Sequence, residues 1–399
     1  MMLATVVVAL WLARPVVRGA EGWQATVTPL ASIIGSGFLV VTPLLAAAVG
    51  HWAPLAMAGI VAVAYWVGST VRFVITEIEP RLEQGRTTRV VADLEHLSRL
   101  LLGFAYIVSV AFYLRLMASF VLRPFDANET AAQALTTMVL LAIGAIGWTR
   151  GLHGLEVLEE AAVSVKLAVI AGLVVGLVLF DAGDPGAVVD AFRGRGLSAG
   201  AWTTARVLAG MLLVVQGFET SRYLGARYDR PTRISSMRRA QLLSGAIYVV
   251  FVTLSVRGFD TLPTQVDDTA VLDLARQVTA VLVPLLVVAA VASQVSAAVA
   301  DTVGGGEMLT GGLHGTPSAG VGYVAVTGSA IAVIWLADVF AIISVASRAF
   351  AAYYLSQTLM AVLVLASDRS IPRRSTLLAQ QGLLVAVLAF VVVFALPAD

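Results

Sequence analysis

Eleven apolar stretches, each about as long as a bilayer is thick, follow one another along this chain. About 20 residues of α-helix cross the ~30 Å hydrocarbon core of a membrane. Hydrocarbon offers no partners to backbone N–H and C=O groups, so a spanning segment must satisfy them within its own helix. The pattern therefore predicts an all-α membrane protein with spans at residues 25–49, 53–76, 99–121, 132–148, 155–180, 202–225, 239–258, 276–301, 319–337, 339–366 and 376–396.

The composition supports a membrane protein and excludes several other classes. Only 13% of the 399 residues are charged, whereas soluble domains have about 25%. The net charge of +1 gives no bias toward nucleic acid, and the apolar blocks indicate the lipid bilayer as a partner. The chain has no cysteine for a disulfide or a thiolate site, and its four histidines show no metal-ligand spacing. We therefore expect neither a metal nor a cofactor.

The arginines are concentrated in loops on one side of the predicted bundle. Six lie within residues 222–239, three within 369–374 and four within 81–99. The loop at 259–275, on the other side, has four aspartates and no basic residue. Because cytoplasmic loops carry the excess of Lys and Arg, the N-terminus is predicted to be cytoplasmic and the C-terminus outside. The strong preference for Arg over Lys fits a GC-rich prokaryotic genome, and hence a multi-pass protein of the prokaryotic cytoplasmic (inner) membrane.

The first residues, "MMLATVVVALWLARPVVRGAEG", precede the first predicted span. Their apolar part, residues 2–13, is too short to cross a bilayer and lacks the basic region and cleavage site of a signal peptide. We interpret residues 1–24 as an interfacial segment. The alternative is an extra span over residues 2–18, which would place the N-terminus outside and leave the rest unchanged.

Two spans contain glycine interruptions in matching positions. Span 1 reads "SIIGSGFLVV" around Gly35 and Gly37, and span 6, five spans later, reads "QGFE" from Gln216 to Glu219. Each Gly destabilises a helix interior by roughly 1 kcal/mol relative to Ala. The two spans run in opposite directions, as the first helices of inverted repeats do. We expect broken helices 1 and 6 in a five-plus-five inverted repeat; close packing of small residues between helices is the alternative.

The predicted repeats divide the chain as follows. The first repeat covers residues 25–180 (helices 1–5), the second covers residues 201–366 (helices 6–10), and residues 376–396 add helix 11.

A broken helix exposes groups that can bind a zwitterion. Free N–H groups begin its second half and attract a carboxylate, whereas free carbonyls end its first half and attract an ammonium group. The amides near Ser36 and Gly37 would bind the carboxylate of an amino acid. The carbonyls near residues 31–34 and 214–217 would face its ammonium group.

Lys166, in span 5, is the only lysine of the chain. A charge at that depth usually faces a cavity or a partner. An arginine stays protonated in proteins, whereas a desolvated lysine can release its proton. A titrating role is therefore the favoured interpretation, and a side chain that snorkels to the cytoplasmic face is the alternative.

Three short motifs in register resemble the amino acid–polyamine–organocation (APC) superfamily. "SIIGSGF" is similar to its helix 1 glycine motif, "QGFE" to its helix 6 signature, and "LEEAAVSVKLAVIAG" to a helix 5 that often carries a lysine. The resemblance implies a leucine-transporter-like fold and secondary transport of amino acids or amines, often coupled to protons. Eleven rather than twelve spans, and an unusual "GGGEMLTGGLHG" after span 8, indicate a divergent branch. We expect that glycine-rich stretch to be a flexible connection.

The resemblance and the break chemistry together give the candidate residues. The substrate would contact residues at the two breaks: Ile34, Gly35, Ser36, Gly37, Gln216, Gly217, Phe218 and Glu219. The Lys166 ammonium would stand where sodium sits in sodium-coupled relatives, and would bridge span 1 to Ser293 and Ser296 of span 8.

Other charges within the spans have alternative roles. Glu219 could bind an amine, carry a proton, cap the second half-helix or pair with Arg222. The remaining arginines would either face the pathway or, as we prefer, pair with acids such as Glu77 and Asp338 and tie helices together. These arginines are Arg72, Arg115, Arg206 and Arg348.

The sequence thus predicts a secondary active transporter that moves an amino acid or related small organic amine by alternating access. Protons are the expected coupling ion, with Lys166 as the main coupling residue. A non-transporting membrane sensor or assembly partner with the same fold is the alternative, and a channel is a third hypothesis. An enzyme is disfavoured because no catalytic set lies within the spans. Symport or antiport, and the oligomeric state with a homodimer among the options, stay open.

Overall fold

The computed structural model describes residues 1–125, 127–151, 156–194, 196, 200–225, 227–262, 269–310 and 319–396. These residues contain helices and connecting turns, with no strand. The α-helices are α1 (Met2–Leu12), α2 (Pro15–Arg18), α3 (Glu21–Ile33), α4 (Ser36–Val49), α5 (Ala53–Phe73), α6 (Glu79–Glu83), α7 (Arg89–Leu122), α8 (Glu129–Arg150), α9 (Glu156–Ala182), α10 (Pro185–Arg193), α11 (Ala201–Gly210), α12 (Thr220–Tyr223), α13 (Arg230–Ser255), α14 (Val271–Val278), α15 (Leu282–Thr310), α16 (Ala319–Leu336), α17 (Val339–Ser367) and α18 (Arg374–Phe394).

Nine helical stretches of the described chain are long and apolar enough to cross a membrane. The first, residues 37–83, contains most of α4 and all of α5, which the sequence predicts as parts of two spans. The chain turns between these two helices at Gly50, where φ is +55°. The sixth predicted span, residues 202–225, consists of helices that are each too short to cross a membrane. The nine stretches therefore agree with eleven predicted spans, because the first stretch covers two of them and the sixth span is too interrupted to form a stretch of its own.

Side-chain caps fix where several of these helices begin. Short polar side chains accept hydrogen bonds from otherwise unpaired N–H groups of the first turn. Asp229 accepts from Thr232 N (2.9 Å) at the start of α13, and Asn128 accepts from Ala131 N (2.9 Å) at the start of α8. Thr88, Asp184 and Asp338 cap α7, α10 and α17 in the same way.

Helix α7 lies at the centre of the bundle. Every side chain from residue 105 to residue 118 is buried, and a helix that is apolar on all sides belongs in the interior. Helices α15, α17, α16 and α8 pack around it. The central position of α7 brings its tyrosines next to the broken sixth span.

Two sequence predictions about the region near span 8 are wrong in part. The predicted span began at residue 276, but α15 begins at Leu282, and residues 276–278 belong to the separate amphipathic helix α14. The glycine-rich stretch was expected to be flexible, yet residues 304–310 continue α15. Glycines 304 and 306 of this stretch lie against Tyr106 and Tyr323, so tight packing outweighs their poor helix propensity. The rest of the stretch, residues 311–315, lies outside the described residues.

The N-terminal helix α1 packs along α9. Thr5 lies against Gly172 and Met1 against Gly176. The contact places α1 beside the apolar part of α9, a few residues along the chain from Lys166.

Candidate functional site

The first helix break lies between α3 and α4, where the glycines predict it. Helix α3 ends at Ile33, and its last hydrogen bond joins Ile34 N to Leu30 O (3.0 Å). Ile34 (φ −86°, ψ 56°) and Gly35 (φ −96°, ψ −131°) have non-helical backbones, and α4 begins at Ser36. The side chain of Ser36 lies outside the described part of the chain. The predicted discontinuity of helix 1 is confirmed.

The sixth span is broken at the matching place. Helix α11 ends at Gly210, residues 211–215 form a 3₁₀ turn, and α12 begins only at Thr220. Gly217 between them has φ +115°, a backbone conformation that side chains with a Cβ rarely adopt. The predicted discontinuity of helix 6 is therefore also confirmed.

The two breaks pack directly against each other. A Cβ placed on Gly37 would lie 2.7 Å from Val214 Cα and 2.8 Å from its carbonyl carbon. A Cβ on Gly217 would lie 2.6 Å from Ser32 Cβ. Breaking and close packing, which the sequence presents as alternatives, occur together because only glycines allow the two interrupted backbones to meet.

Tyr248 of α13 joins the two breaks. Its buried hydroxyl lies 2.9 Å from Ile33 O and 2.9 Å from Val214 O, within hydrogen-bond distance of both carbonyls. Both carbonyls lie next to an interruption, where helix bonding stops. The sequence analysis missed this residue; the available signal was a tyrosine within the apolar run of span 7.

Lys166 lies beside the first break. Its side chain is only 6% exposed. Nζ donates to Ala31 O (2.9 Å) and to Ser293 Oγ (3.0 Å), so it joins α9 to α3 and α15. This is the predicted bridge to span 1 and Ser293, and the side chain does not snorkel to the surface. Ser296, also buried, lies about one turn further along α15.

Glu219 is fully buried in the second break. Its Oε2 accepts hydrogen bonds from Gly217 N (2.9 Å) and Tyr354 OH (2.7 Å). It makes no side-chain capping bond to α12. Phe218 stacks on Tyr354, with ring centroids 5.2 Å apart. The carboxylate therefore orders the break itself and brings α17 against it.

Gln216 reaches α7 from the same break. Its Nε2 donates to Tyr113 OH (3.0 Å). The four groups just described, residues 31–37, residues 214–219, Lys166 and Ser293, are called the central site below.

Several buried polar atoms at and around the central site have no hydrogen-bond partner among the described residues. They are Ser32 Oγ, Thr42 Oγ1, Gln216 Oε1, Glu219 Oε1, Ser221 Oγ and both amide atoms of Gln294. Buried polar groups in proteins are normally paired, so each of these atoms is available to bond to a ligand. Gln294, next to Ser293 on α15, was missed by the sequence analysis, although a glutamine in an apolar span is a visible signal.

Comparison with known proteins decides the family. The family description "APC superfamily transporter" matches residues 15–395 of the chain. The chain belongs to the APC superfamily of transporters. An uncharacterized protein of Aquifex aeolicus (strain VF5) is 42% identical over 360 residues, which is 89% of this chain and 87% of that protein.

A solved structure shows the fold of this APC transporter. The substrate-bound outward-open state of a Na⁺-coupled sialic acid symporter matches 99% of this chain and 97% of its own, with a TM-score of 0.52 and 15% identity. The predicted leucine-transporter-like fold is confirmed.

One end of the APC transporter's bundle is held by what we call the arginine cluster: Arg222, Arg233, Glu79, Glu95 and Gln357. Arg222, only 4% exposed, donates from Nη2 to Glu95 (2.9 Å), from Nη1 to Gln357 (2.6 Å) and from Nε to Glu79 (3.3 Å). Arg233 donates to the other oxygen of Glu79 (2.8 Å). The cluster joins α6, α7, α12, α13 and α17. Its members bond all three guanidinium nitrogens of Arg222, which the sequence presented as a possible partner of Glu219.

The other arginines within the spans bind elsewhere in the transporter. Arg115 forms an ion pair with Glu129 (2.9 Å). Arg348 donates to Ala395 O (2.6 Å), and Arg206 donates to Phe394 O (2.9 Å). They tie helices together, as we preferred.

The two acids that the sequence analysis named as partners of these arginines make other contacts. Glu77 pairs with Arg81 (2.8 Å), and Asp338 caps α17. Arg72, the remaining arginine, donates to Gln241 Oε1 (2.6 Å).

Proposed function

We propose that this APC transporter moves an amino acid or a related small organic amine across the prokaryotic inner membrane by alternating access. Its N-terminus would be cytoplasmic, as the arginine-rich loops indicate. The observation that carries the proposal is the bridge from Lys166 to Ala31 O and Ser293 Oγ, located where one break meets α15. This bridge between a broken helix and α15 supports a carrier rather than an enzyme.

The proposed substrate is complementary to the central site. The first N–H groups of α4, from Ser36 onward, have no partner within the helix and lie at its positive end. They would bind a carboxylate. The unpaired Glu219 Oε1 and the carbonyls of the two breaks would bind an amine.

Protons are the proposed coupling ion. Protonated Lys166 holds α9, α3 and α15 together through its hydrogen bonds to Ala31 O and Ser293 Oγ, and the deprotonated amine would hold them less firmly. A charge-assisted hydrogen bond is roughly twice as strong as a neutral one. Proton loss would thus release the first broken helix and allow the bundle to change state.

Uptake by proteoliposomes tests the proposal. The full chain would be given a panel of labelled amino acids and amines, with and without a pH gradient and with and without sodium. We expect uptake of a subset of these solutes that rises with the gradient. Binding without uptake would favour the sensor alternative instead.

Two substitutions at one position then test the coupling role. Lys166→Ala removes the charge, and Lys166→Arg keeps a charge that cannot be released; both should abolish the response to the gradient. Thr149→Ala, an exposed position on α8 whose hydroxyl bonds only to the carbonyls of its own helix, is the control and should retain it. Sodium-dependent uptake that survives Lys166→Ala would contradict proton coupling while leaving the transport function standing.

A further inference from the structure

A groove of about 610 Å³ lies between α5 and α18, on the outer surface of the bundle. Its walls are formed by Tyr65, Trp66 and Ser69 on α5 and by Ala379, Gln380 and Leu383 on α18. On the buried side of the same two helices, Thr70 donates to Gln381 (2.9 Å) and holds them together. The groove is thus mostly apolar, with hydroxyl and amide groups along it.

A cation lies at one end of this groove. Tyr65, Ser69 and Arg72 follow one another at helical spacing and so share a face of α5. The Arg72 guanidinium stands 4.8 Å from the ring centroid of Tyr65, which lines the groove. Like the other arginines within the spans, Arg72 takes no part in the central site.

The charge at this end is not neutralised by an acid. Arg72 donates to two neutral oxygens, those of Gln241 (2.6 Å) and the Tyr65 carbonyl (3.5 Å). Arg238, exposed on α13 one turn before Gln241, lies within Coulombic range of it. Within the described ranges neither arginine forms an ion pair. Two like charges within Coulombic range of each other favour an anion nearby.

The dimensions fit one leaflet of a bilayer. Ala62, which also lines the groove, precedes Arg72 by ten residues, or about 15 Å of helix. This is half of the ~30 Å hydrocarbon core. A ligand that matches the whole feature has an anionic head at one end and an acyl chain about one leaflet long.

We propose that this groove binds an anionic phospholipid. Its phosphate contacts Arg72 and Arg238, and one acyl chain lies along Trp66 and Leu383. Basic sites between membrane helices are known to bind anionic lipid head groups. A free phosphate shares the head-group chemistry but leaves the apolar groove unused, so the experiment must separate the two.

Lipid retention by the full chain tests this proposal. The purified, delipidated protein would be exchanged into bilayer discs of phosphatidylglycerol or phosphatidylcholine, and bound lipid measured by native mass spectrometry together with thermal unfolding. We expect phosphatidylglycerol to be retained preferentially and to raise Tm. Affinity for phosphatidylglycerol should fall about fivefold for each guanidinium removed.

Four variants make the result decisive. Arg238→Gln leaves every hydrogen bond of the described chain intact, so its folding is secure, and Arg72→Gln with Arg238→Gln should remove the preference entirely. Leu383→Trp keeps both charges but fills the groove, and should also weaken retention. Arg86→Gln changes an exposed arginine in the turn after α6 and should have no effect.

Three outcomes would overturn the proposal. One is equal behaviour of the two lipids in the unmodified protein. Another is an equal stabilisation by inorganic phosphate, which would assign the arginines to a soluble anion. The third is full retention of phosphatidylglycerol by Leu383→Trp, which would show that surface charge alone, without the groove, binds the lipid.

Discussion

The central site and the arginine cluster are both buried and polar, yet they differ in how fully their polar atoms are paired. In the cluster Arg222 is fully bonded and only Arg233 Nε lacks a partner among the described residues, whereas several atoms around the central site lack one. Ser32 of the central site, and Gln294 next to that site on α15, have side-chain atoms without partners among the described residues. In the arginine cluster all three guanidinium nitrogens of Arg222 are bonded, to Glu79, Glu95 and Gln357. The two regions are only one turn apart, since Arg222 follows Glu219 by three residues.

This contrast distinguishes a region suited to binding from a region suited to holding helices together. Unpaired polar atoms in a low-dielectric interior gain most from a ligand that supplies the missing bonds. A buried arginine with every nitrogen paired resists separation, because removing a carboxylate partner leaves a charge uncompensated. The predictions below change one region at a time.

The largest effect is expected at the arginine cluster. Arg222→Met leaves the carboxylates of Glu79 and Glu95 buried with fewer cations, and breaking a buried pair in this way destabilises by about 3–5 kcal/mol. Thermal unfolding in detergent would measure the loss. The control is Arg99→Met, whose side chain is 48% exposed and pairs with the same Glu95; such a pair contributes about 1 kcal/mol or less. Equal losses in the two variants would show that the cluster is no stronger than a surface pair.

The second effect tests the contact between the two breaks. Gly37→Ala would place a Cβ 2.7 Å from Val214 Cα, and backbone cannot move aside as a side chain can. Overpacking of this kind destabilises by about 1–3 kcal/mol, and uptake should fall with it.

The matched control for Gly37 is Gly59 in α5. A Cβ at Gly59 would meet nothing within 4 Å, so Gly59→Ala should stabilise its helix by up to about 1 kcal/mol. The two alanine substitutions are therefore expected to move Tm in opposite directions. A shift of the same sign would mean that the breaks are free to separate.

The third effect concerns the tyrosine that joins both breaks. Tyr248→Phe keeps the ring but removes the hydroxyl that lies 2.9 Å from Ile33 O and from Val214 O. Leaving a buried carbonyl unpaired destabilises by about 1–3 kcal/mol, and the remaining packing is unchanged. Amide hydrogen exchange should rise around residues 34–37 and 216–219. Unchanged amide exchange at these residues would contradict the role of this hydroxyl in joining the two breaks.

The sequence predicts the features that depend on local composition. Glycines weaken a helix wherever they lie, so the breaks at Gly35 and Gly217 could be predicted without any knowledge of the fold. A lone lysine in an apolar span is equally visible, and Lys166 has the predicted partner Ser293. The substrate and coupling roles of these residues stay predictions.

Features that depend on distant partners could not be predicted from the sequence. Arg222 and Glu95 are separated by 127 residues, and the sequence gives no reason to choose Glu95 over the neighbouring Glu219. The glycine-rich end of α15 shows the same limit. Its propensity favours a loop, but packing of residues 304–306 against Tyr106 and Tyr323 makes it helical.

The smallest effect on stability, with the opposite sign, is expected at Gln294. Both atoms of its buried amide are unpaired within the described structure, so Gln294→Met removes a polar group that contributes nothing to folding. Replacing such a group by an apolar side chain of similar shape is neutral or stabilising, by up to about 1 kcal/mol. Tm should stay equal or rise, while uptake should fall if the amide serves the substrate.

Gln381→Met is the matched control for Gln294. Gln381 is also a buried glutamine, but its Oε1 accepts from Thr70 (2.9 Å). Its loss leaves the Thr70 hydroxyl unpaired, so Tm should fall by the equivalent of about 1 kcal/mol with uptake unchanged. If Gln294→Met lowered Tm as much as Gln381→Met, the Gln294 amide would contribute hydrogen bonds to the folded structure. The contrast between the central site and the arginine cluster would then not extend to α15.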